Sequence, residues 1–152
     1  MDVCLNAYGW SGPWRNRRGF DSLVQMSSGI ADTGMRVFGK DRPTPLPVQA
    51  LDHATGYLMA AAVIRGLTQR ITTGCGFEAK ASLASTAALL IDCPAAKLDA
   101  DFKPAADNDW SAELELTSFG AARRLRAPIQ VGGASMRWER PAAALGSSVA
   151  DW

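Results

Sequence analysis

The sequence predicts an α/β fold, and three observations lead to this class. The apolar segment Asp2–Ala7 is typical of a short buried strand, and Phe77–Leu83 alternates in the pattern of a second strand. Between them, Val48–Gln69 carries apolar residues at helical spacing and is the strongest helix signal in the chain. The predicted order of strand, helix, helix, strand, helix and further strands indicates an α/β or α+β domain.

A loop and a helix are predicted to follow the first strand. Tyr8–Gly19 is expected to be a loop because it contains Pro13 and several glycines. Phe20–Ile30 has mostly helical spacing, and Asp21 or Ser22 is available to cap it.

Glycines and prolines then separate this helix from the long one. Gly29 and Gly34 are predicted to end the first helix, and three prolines make Arg36–Pro47 an irregular, extended crossover. Gly56, inside the long helix, costs roughly 1 kcal/mol of helix stability relative to alanine. We infer that another backbone or a ligand approaches closely at that position. The end of the helix and the following turn are marked by Arg65, Arg70, Gly74 and Gly76.

The rest of the chain carries weaker signals. Ala84–Ile91 is predicted as a helix, residues 92–112 as an exposed loop, and Glu113–Leu116 and Leu125–Val131 as strands. Pro141–Trp152 is predicted to be an irregular tail.

Composition and charge argue against several classes of partner. The formal net charge is +1, so no strong field attracts nucleic acid or an anionic membrane. The longest apolar stretch, Tyr57–Ile64, is too short to span a bilayer. Three separated cysteines and a single histidine make a metal site unexpected, and they fit a reducing cytoplasm. We therefore expect a cytoplasmic protein with no bound metal or cofactor.

Asp52 is the first candidate for chemistry because it lies at the N-terminal end of the long helix. An aspartate there is commonly an N-cap or first-turn residue that stabilises the helix. The same N–H groups and dipole would also hold an ionised carboxylate, which is a competent nucleophile toward an activated acyl group. His53, the only histidine, is adjacent, and no serine or cysteine nucleophile motif accompanies it. The residues alone leave both interpretations of Asp52 open.

Three motifs occur in order around this aspartate. A Tyr-Gly-x-x-Gly-Pro loop is present at residues 8–13, and a Gly-Phe-Asp segment followed by glutamine is present at residues 19–25. A proline-rich crossover then leads into Asp-x-x-x-Gly at residues 52–56. In this order the motifs resemble class III CoA-transferases of the CaiB/BaiF type, over about residues 3–91. A racemase branch of that family has a histidine where this chain has Phe20, so the resemblance is to the transferases.

The resemblance implies an activity and a set of site residues. Asp52 matches the family nucleophile, which forms an aspartyl anhydride and then an aspartyl-CoA thioester as CoA moves from an acyl-CoA to a carboxylic acid. Tyr8, Gly9, Gln25 and His53 are predicted to contact CoA or the substrate. Backbone N–H groups of the glycine loop or the helix start are expected to stabilise the oxyanions. Coenzyme A is a substrate in this scheme.

The resemblance also predicts a partial fold. We expect a fragment of the Rossmann-like large domain, with residues 1–91 as its catalytic-aspartate portion. Residues 92–125 would be a loop or an abbreviated small domain, and residues 126–152 the C-terminal tail of the large domain. Nothing in the chain corresponds to the N-terminal CoA-binding half of the family, so we expect that half to be missing. Separately, the small domain of the family is expected to be absent or reduced.

Three functions are compatible with these features. The first is a CoA-transferase acting on an acyl-CoA and a carboxylic acid, as a homodimer or with a complementing N-terminal half. The second is a truncated, non-catalytic remnant, or a subunit that needs a separate N-terminal half. The third is an unrelated α/β binding domain.

Overall fold

The computed structural model describes residues 1–93, 103–134 and 136–151. The chain divides into two compact units, residues 1–96 and residues 97–152. Several positions of the predicted exposed loop, among them Pro94, Asp99 and Asp101, lie outside the described residues, and so does Trp152.

Within residues 1–93 the chain forms two strands and four helices. In chain order they are β1 Asp2–Asn6, α1 Asp21–Ser27, α2 Ile30–Val37, α3 Ala50–Thr73, β2 Glu78–Ser82 and α4 Leu83–Asp92. β1 and β2 pair in parallel, and α1, α2 and α3 lie between them in the chain. A parallel pair joined through helices is an α/β arrangement, so the predicted fold class is confirmed.

The buried core of this unit is small and joins the end of β1 to α1, α3 and α4. Its apolar members are Ala7, Val24, Leu51, Leu83 and Ala87. Beside them, the hydroxyl groups of Thr55 and Thr86 are 2.7 Å apart, and both side chains are buried. Leu51 and Thr55 lie one turn apart on α3, so a single face of this helix is packed against the core. The opposite face of the same turn is therefore left to solvent.

Helix α2 is an element that the sequence analysis does not predict. Gly29 is the N-cap of α2, with a φ of +91°, and Gly34 lies inside the helix instead of ending one. The carbonyl oxygen of Thr44 lies directly against Gly34, and the Thr44 N–H donates to the Ala31 carbonyl at 2.8 Å. The predicted helix end at Gly34 is wrong because this glycine serves a close backbone approach.

The crossover and the long helix are confirmed with shifted bounds. Residues 38–49 contain no helix or strand, and α3 is both later and longer than the predicted Val48–Gln69. It ends at Gly74, whose φ of +71° is the left-handed conformation typical of a helix end. At Gly56 a Cβ atom would meet no atom of the described residues within 4 Å beyond its own turns of helix. The close approach of a ligand to this glycine stays a prediction.

The second unit contains a short antiparallel pair, β3 Glu115–Thr117 and β4 Gly120–Ala122. The Arg124 side chain forms an ion pair with Glu115 and lies over the Trp138 ring, with its guanidinium carbon 4.9 Å from the ring centroid. The ion pair and the cation–π contact of Arg124 therefore connect Glu115 on β3 with the segment that contains Trp138.

Strand predictions in this unit are only partly confirmed. The predicted strand Glu113–Leu116 overlaps β3 but begins too early. The predicted strand Leu125–Val131 is wrong: its two end residues make only isolated bridges, to Trp110 and Ala134. A run with a proline in its middle cannot donate every ladder hydrogen bond, and Pro128 interrupts this one.

Candidate active site

Asp52 is the third residue of α3, and its side chain is exposed to solvent. The N-cap position is Gln49, which makes no side-chain cap bond, so Asp52 is a first-turn residue and not the cap. In residues 1–93, 103–134 and 136–151 no hydrogen bond or ion pair engages the Asp52 carboxylate. His53 follows it and is also exposed. The carboxylate is therefore open to a molecule arriving from solvent.

The N–H groups at the start of α3 are all used inside the protein. Those of Leu51 and Asp52 donate to one carboxylate oxygen of Asp21, at 2.7 and 2.9 Å. Those of Ala50 and His53 donate to backbone carbonyls at 2.8 and 3.2 Å. The expectation that these groups hold the Asp52 carboxylate or a reaction oxyanion is therefore wrong, because each already has an acceptor.

Asp21 and Ser22 are the two residues that the sequence offers as a cap for their own helix. In the structure α1 begins at Asp21, and its N-cap residue, Phe20, makes no side-chain bond. The Asp21 side chain caps α3 instead, and the residue is 2% exposed. A carboxylate at the positive end of a helix is favourable. Asp21 thus takes the place at the helix start that the sequence analysis predicts for Asp52.

A sequence signal for this role exists on α1. Asp21 and Gln25 are four residues apart, so they share one helix face with Val24 beside them. All three are buried. Two polar residues on the apolar face of a short helix need internal partners, because burying an unpaired polar group is costly.

Gln25 supplies the partner for the second carboxylate oxygen of Asp21. Its amide nitrogen donates to Asp21 at 2.5 Å and to the Val48 carbonyl at 3.1 Å. Its amide oxygen accepts from the Leu46 N–H at 2.8 Å. The residue is 2% exposed. The structure thus places Gln25 between α1 and the crossover, with its side chain bonded to both. The sequence alone predicts a different role for Gln25, a contact with CoA or the substrate.

Tyr8 and Gly9 lie in the loop after β1, and Tyr8 packs against the buried core that contains Val24 and Leu51. The Tyr8 hydroxyl is 3.3 Å from the Ser27 hydroxyl at the end of α1, and the Tyr8 ring meets Trp14 edge-on at 5.0 Å. Gly9 has a φ of +87°, and its N–H donates to the Asn6 side chain at 2.6 Å. Among the described residues, no hydrogen bond joins this loop to Asp52 or His53. The glycine-loop N–H at Gly9 is also taken.

An open groove of about 260 Å³ separates this loop from α1. Its lining includes Tyr8, Trp14, Ser27 and Ser28. The Ser28 hydroxyl is buried without a hydrogen-bond partner. Of the five predicted site residues, Asp52 and His53 lie at the start of α3, and Gln25 on α1 is linked to that turn through Asp21. Tyr8 lines the groove, and Gly9 follows it in the loop.

The cysteine nearest to the loop is not an activated nucleophile. The Cys4 thiol on β1 donates to the Asp2 carboxylate at 3.1 Å, and this hydrogen bond together with the negative charge of Asp2 raises the pKa of Cys4. A raised pKa favours the thiol over the reactive thiolate.

Lys80 on β2 is held in its charged form. The Glu78 carboxylate lies 2.6 Å from the Lys80 ammonium group and raises the pKa of Lys80.

Two further classes of site find no support in the described parts of the chain. Within them no group of three or more histidine, cysteine or acidic residues is placed to hold a metal ion. Nor does any helix there combine the length and apolarity needed to cross a bilayer.

Comparison with known proteins places this chain in a family. The family model that describes CoA-transferase family III matches residues 3–146 of this sequence. The chain belongs to CoA-transferase family III, and its α/β fold is part of the fold of that family.

Individual relatives agree with this assignment. Rv3272 of Mycobacterium tuberculosis, a probable fatty acyl-CoA transferase, is 37% identical over 70 residues, which cover 46% of this chain and 17% of the relative. Succinyl-CoA:glutarate CoA-transferase of Mus musculus is 32% identical over 84 residues, covering 54% of this chain and 18% of the relative. The chain thus spans less than a fifth of the length of either protein.

Solved structures show the same likeness. The match to a crystal structure of Rv3272 from Mycobacterium tuberculosis covers 58% of this chain and 24% of the Rv3272 chain, with 32% identity and a TM-score of 0.52. The match to a crystal structure of a CAIB/BAIF family protein from Brucella suis covers 59% of this chain and 23% of that chain, with 26% identity and a TM-score of 0.53.

Proposed function

We propose that this chain carries the nucleophilic aspartate of a CoA-transferase, Asp52, which transfers CoA from an acyl-CoA to a carboxylic acid. The observation that supports the proposal most is the contrast between two neighbouring carboxylates. Asp21 is buried, and both its carboxylate oxygens accept hydrogen bonds, one of them from the Asp52 N–H. The Asp52 carboxylate, by contrast, is exposed and has no partner among the described residues. A nucleophile needs a fixed backbone and a free reacting atom, and this arrangement supplies both.

The reaction follows from the chemistry of a carboxylate and a thioester. A carboxylate oxygen of Asp52 attacks the thioester carbonyl, the C–S bond breaks, and CoA leaves as a thiolate, giving a mixed anhydride. The thiolate attacks the aspartyl carbonyl and releases the donor acid, so that CoA is held as an aspartyl thioester. The acceptor carboxylate attacks this thioester and expels the thiolate, which attacks the acceptor acyl carbon of the second anhydride. Asp52 is then released as a carboxylate, with no net proton change.

The surroundings of Asp52 suit the approach of a large thioester. Gly56 lies one turn further along α3 on the same side, where a Cβ atom would meet nothing within 4 Å among the described residues beyond its own turns of helix. Exposed helix backbone at that point leaves room for CoA beside the carboxylate. His53 and the Tyr8–Gly9 loop are proposed to contact CoA or the acid. Because the N–H groups at the helix start are already used, we propose that oxyanion donors come from outside that turn.

The experiment that tests this function is intact-protein mass spectrometry. The chain is incubated with a panel of acyl-CoAs and then with hydroxylamine, which converts an aspartyl anhydride or thioester to a hydroxamate. The expected result is a hydroxamate that peptide mapping assigns to Asp52. A chain that gives no adduct with any donor would contradict the transferase function for this chain alone, and would favour the non-catalytic remnant or the subunit that needs a separate N-terminal half.

A specific observation favours that second candidate, a complementing partner. Among the described residues the parallel sheet consists of β1 and β2 alone, whereas parallel sheets are normally larger and covered on both faces. Four exposed apolar residues of α3 share one side of the helix by their spacing: Tyr57, Ile64, Leu67 and Ile71, the last at 84%. We define these four as the apolar face of α3. The proposal is that the remainder of the family fold, on the same or another polypeptide, packs on this face.

This face predicts the behaviour of the isolated chain. Without the rest of the fold, a second copy is expected to cover the apolar face, so static light scattering should show association instead of a monomer. Replacing both Ile64 and Ile71 by lysine should return the chain to a monomer. Leu145→Lys is the matched control, because Leu145 is 99% exposed in the other unit and should not alter the mass. A stable, monodisperse wild-type monomer would contradict the prediction.

A further inference from the structure

The Asp21–Gln25 network links three segments that meet at the candidate nucleophile. One oxygen of Asp21 accepts the N–H groups of Leu51 and Asp52, and the other accepts the amide N–H of Gln25. Gln25 in turn holds the crossover through Leu46 and Val48. Together these hydrogen bonds fix both the segment that enters α3 and the first turn itself.

The network is complete, which distinguishes it from a generic cap. Both Asp21 oxygens accept, and the Gln25 amide uses both its donor and its acceptor sides. Both residues are 2% exposed, so water does not compete for these groups. A buried polar network in which every member is satisfied specifies one arrangement of the backbone. Here the backbone that it specifies is that of Asp52.

We infer that Asp21 and Gln25 are positioning residues that hold the Asp52 backbone for attack on the acyl-CoA. This inference rests on the proposed function of Asp52. Neither side chain touches the substrate in this arrangement; each acts through the first turn of α3. The reason is geometric, since an error of about 1 Å in the place of a reacting group can cost about a hundredfold in rate.

Asp21→Asn tests the network because an asparagine side chain cannot satisfy every bond. If its amide oxygen faces α3, its NH₂ group meets the NH₂ group of Gln25. Turning the Gln25 amide removes that conflict but places the glutamine NH₂ group against the N–H of Leu46. Asp21→Asn is therefore expected to lower the rate of hydroxamate formation about ten- to a hundredfold. The concentration of acyl-CoA that gives half-maximal labelling should stay unchanged.

A second substitution is expected to rescue the first. When Gln25→Glu is combined with Asp21→Asn, the introduced carboxylate accepts from the introduced NH₂ group and from the Leu46 N–H. The oxygen of the new asparagine then remains free to accept from α3, and only the Val48 carbonyl loses its donor. We expect the double variant to regain most of the wild-type rate. A double variant as slow as Asp21→Asn alone would overturn the inference.

Two other variants separate positioning from general loss of stability. Asp32→Asn makes the same chemical change in the first turn of α2, where Asp32 is exposed and pairs with Arg36 at 2.7 Å, and it should leave the rate unchanged. Gln25→Met removes the three Gln25 bonds but keeps the Asp21 cap of α3, so its rate should fall less than that of Asp21→Asn. If Asp21→Asn does not fold, a wild-type rate in Gln25→Met overturns the inference.

Amide hydrogen exchange gives a reading that needs no turnover. The amides of Leu51 and Asp52 should exchange at least about tenfold faster in Asp21→Asn than in the wild type, whereas the buried amide of Gly66 in the middle of α3 should change little. Unchanged exchange at both positions would overturn the inference. If the wild type shows no acylation, the proposed function fails, and the exchange measurement decides the positioning role by itself.

Discussion

Replacing Asp52 by asparagine is expected to abolish acylation of the chain, lowering the rate of hydroxamate formation by at least about a thousandfold. An amide has no carboxylate oxygen to attack the thioester, and the neighbouring Asp21 cannot take its place, because it is buried with both oxygens bonded. The measurement is time-resolved intact mass spectrometry with a saturating acyl-CoA. Peptide mapping of any remaining label identifies a competing nucleophile.

The fold should survive this substitution. Asp52 is exposed, and its side chain makes no hydrogen bond or ion pair with the described residues, so the change should cost no more than about 1 kcal/mol through the helix dipole. Gln49→Ala is the neighbouring control, because the exposed Gln49 at the N-cap makes no side-chain cap bond. It should be acylated at the wild-type rate, which separates loss of the nucleophile from a general change at the helix start. A labelled Asp52→Asn chain, at a rate near that of the wild type, would assign the nucleophile to another residue.

The sequence singles out Asp52 as the candidate nucleophile but does not predict how its backbone is held. Asp52 stands out because a helix signal and a proline-rich crossover meet there, and both are local patterns. Its capping partner is thirty-one residues earlier in the chain, since Asp21 accepts the Asp52 N–H. Local rules assign an aspartate at a helix start to its own helix. Only the packing of α1 against α3 shows that the cap belongs to another helix.

The same limit applies to two glycines, one at the end of α3 and one inside α2. Gly74 follows the rule for helix ends and is predicted correctly, because its left-handed φ is a local property. Gly34 does not follow the rule, because the reason for it is the Thr44 carbonyl ten residues later. α2 is therefore missed, whereas the long helix beyond it is found.

This close approach makes Gly34→Ala the substitution with the largest expected effect on stability. The added methyl group would overlap the Thr44 carbonyl oxygen, which is backbone and cannot rotate away. The Thr44 N–H bond to Ala31, 2.8 Å long, holds that oxygen in place, so α2 and the crossover must separate. Overpacking of this kind costs about 3 kcal/mol. The thermal midpoint should fall by roughly 10 °C or more, as followed by circular dichroism.

Gly56→Ala makes the same chemical change and should have the opposite effect on stability. The site is open, so the alanine meets no described atom within 4 Å beyond its own turns of helix and gains up to about 1 kcal/mol of helix propensity. A rise in thermal midpoint for Gly56→Ala beside a fall for Gly34→Ala would show that backbone contact, and not helix propensity, sets the cost at Gly34. Equal midpoints for the two variants would contradict the packing argument. If CoA lies against α3 at Gly56, the more stable Gly56→Ala chain should also be acylated more slowly at Asp52, because the methyl group occupies the space beside the thioester.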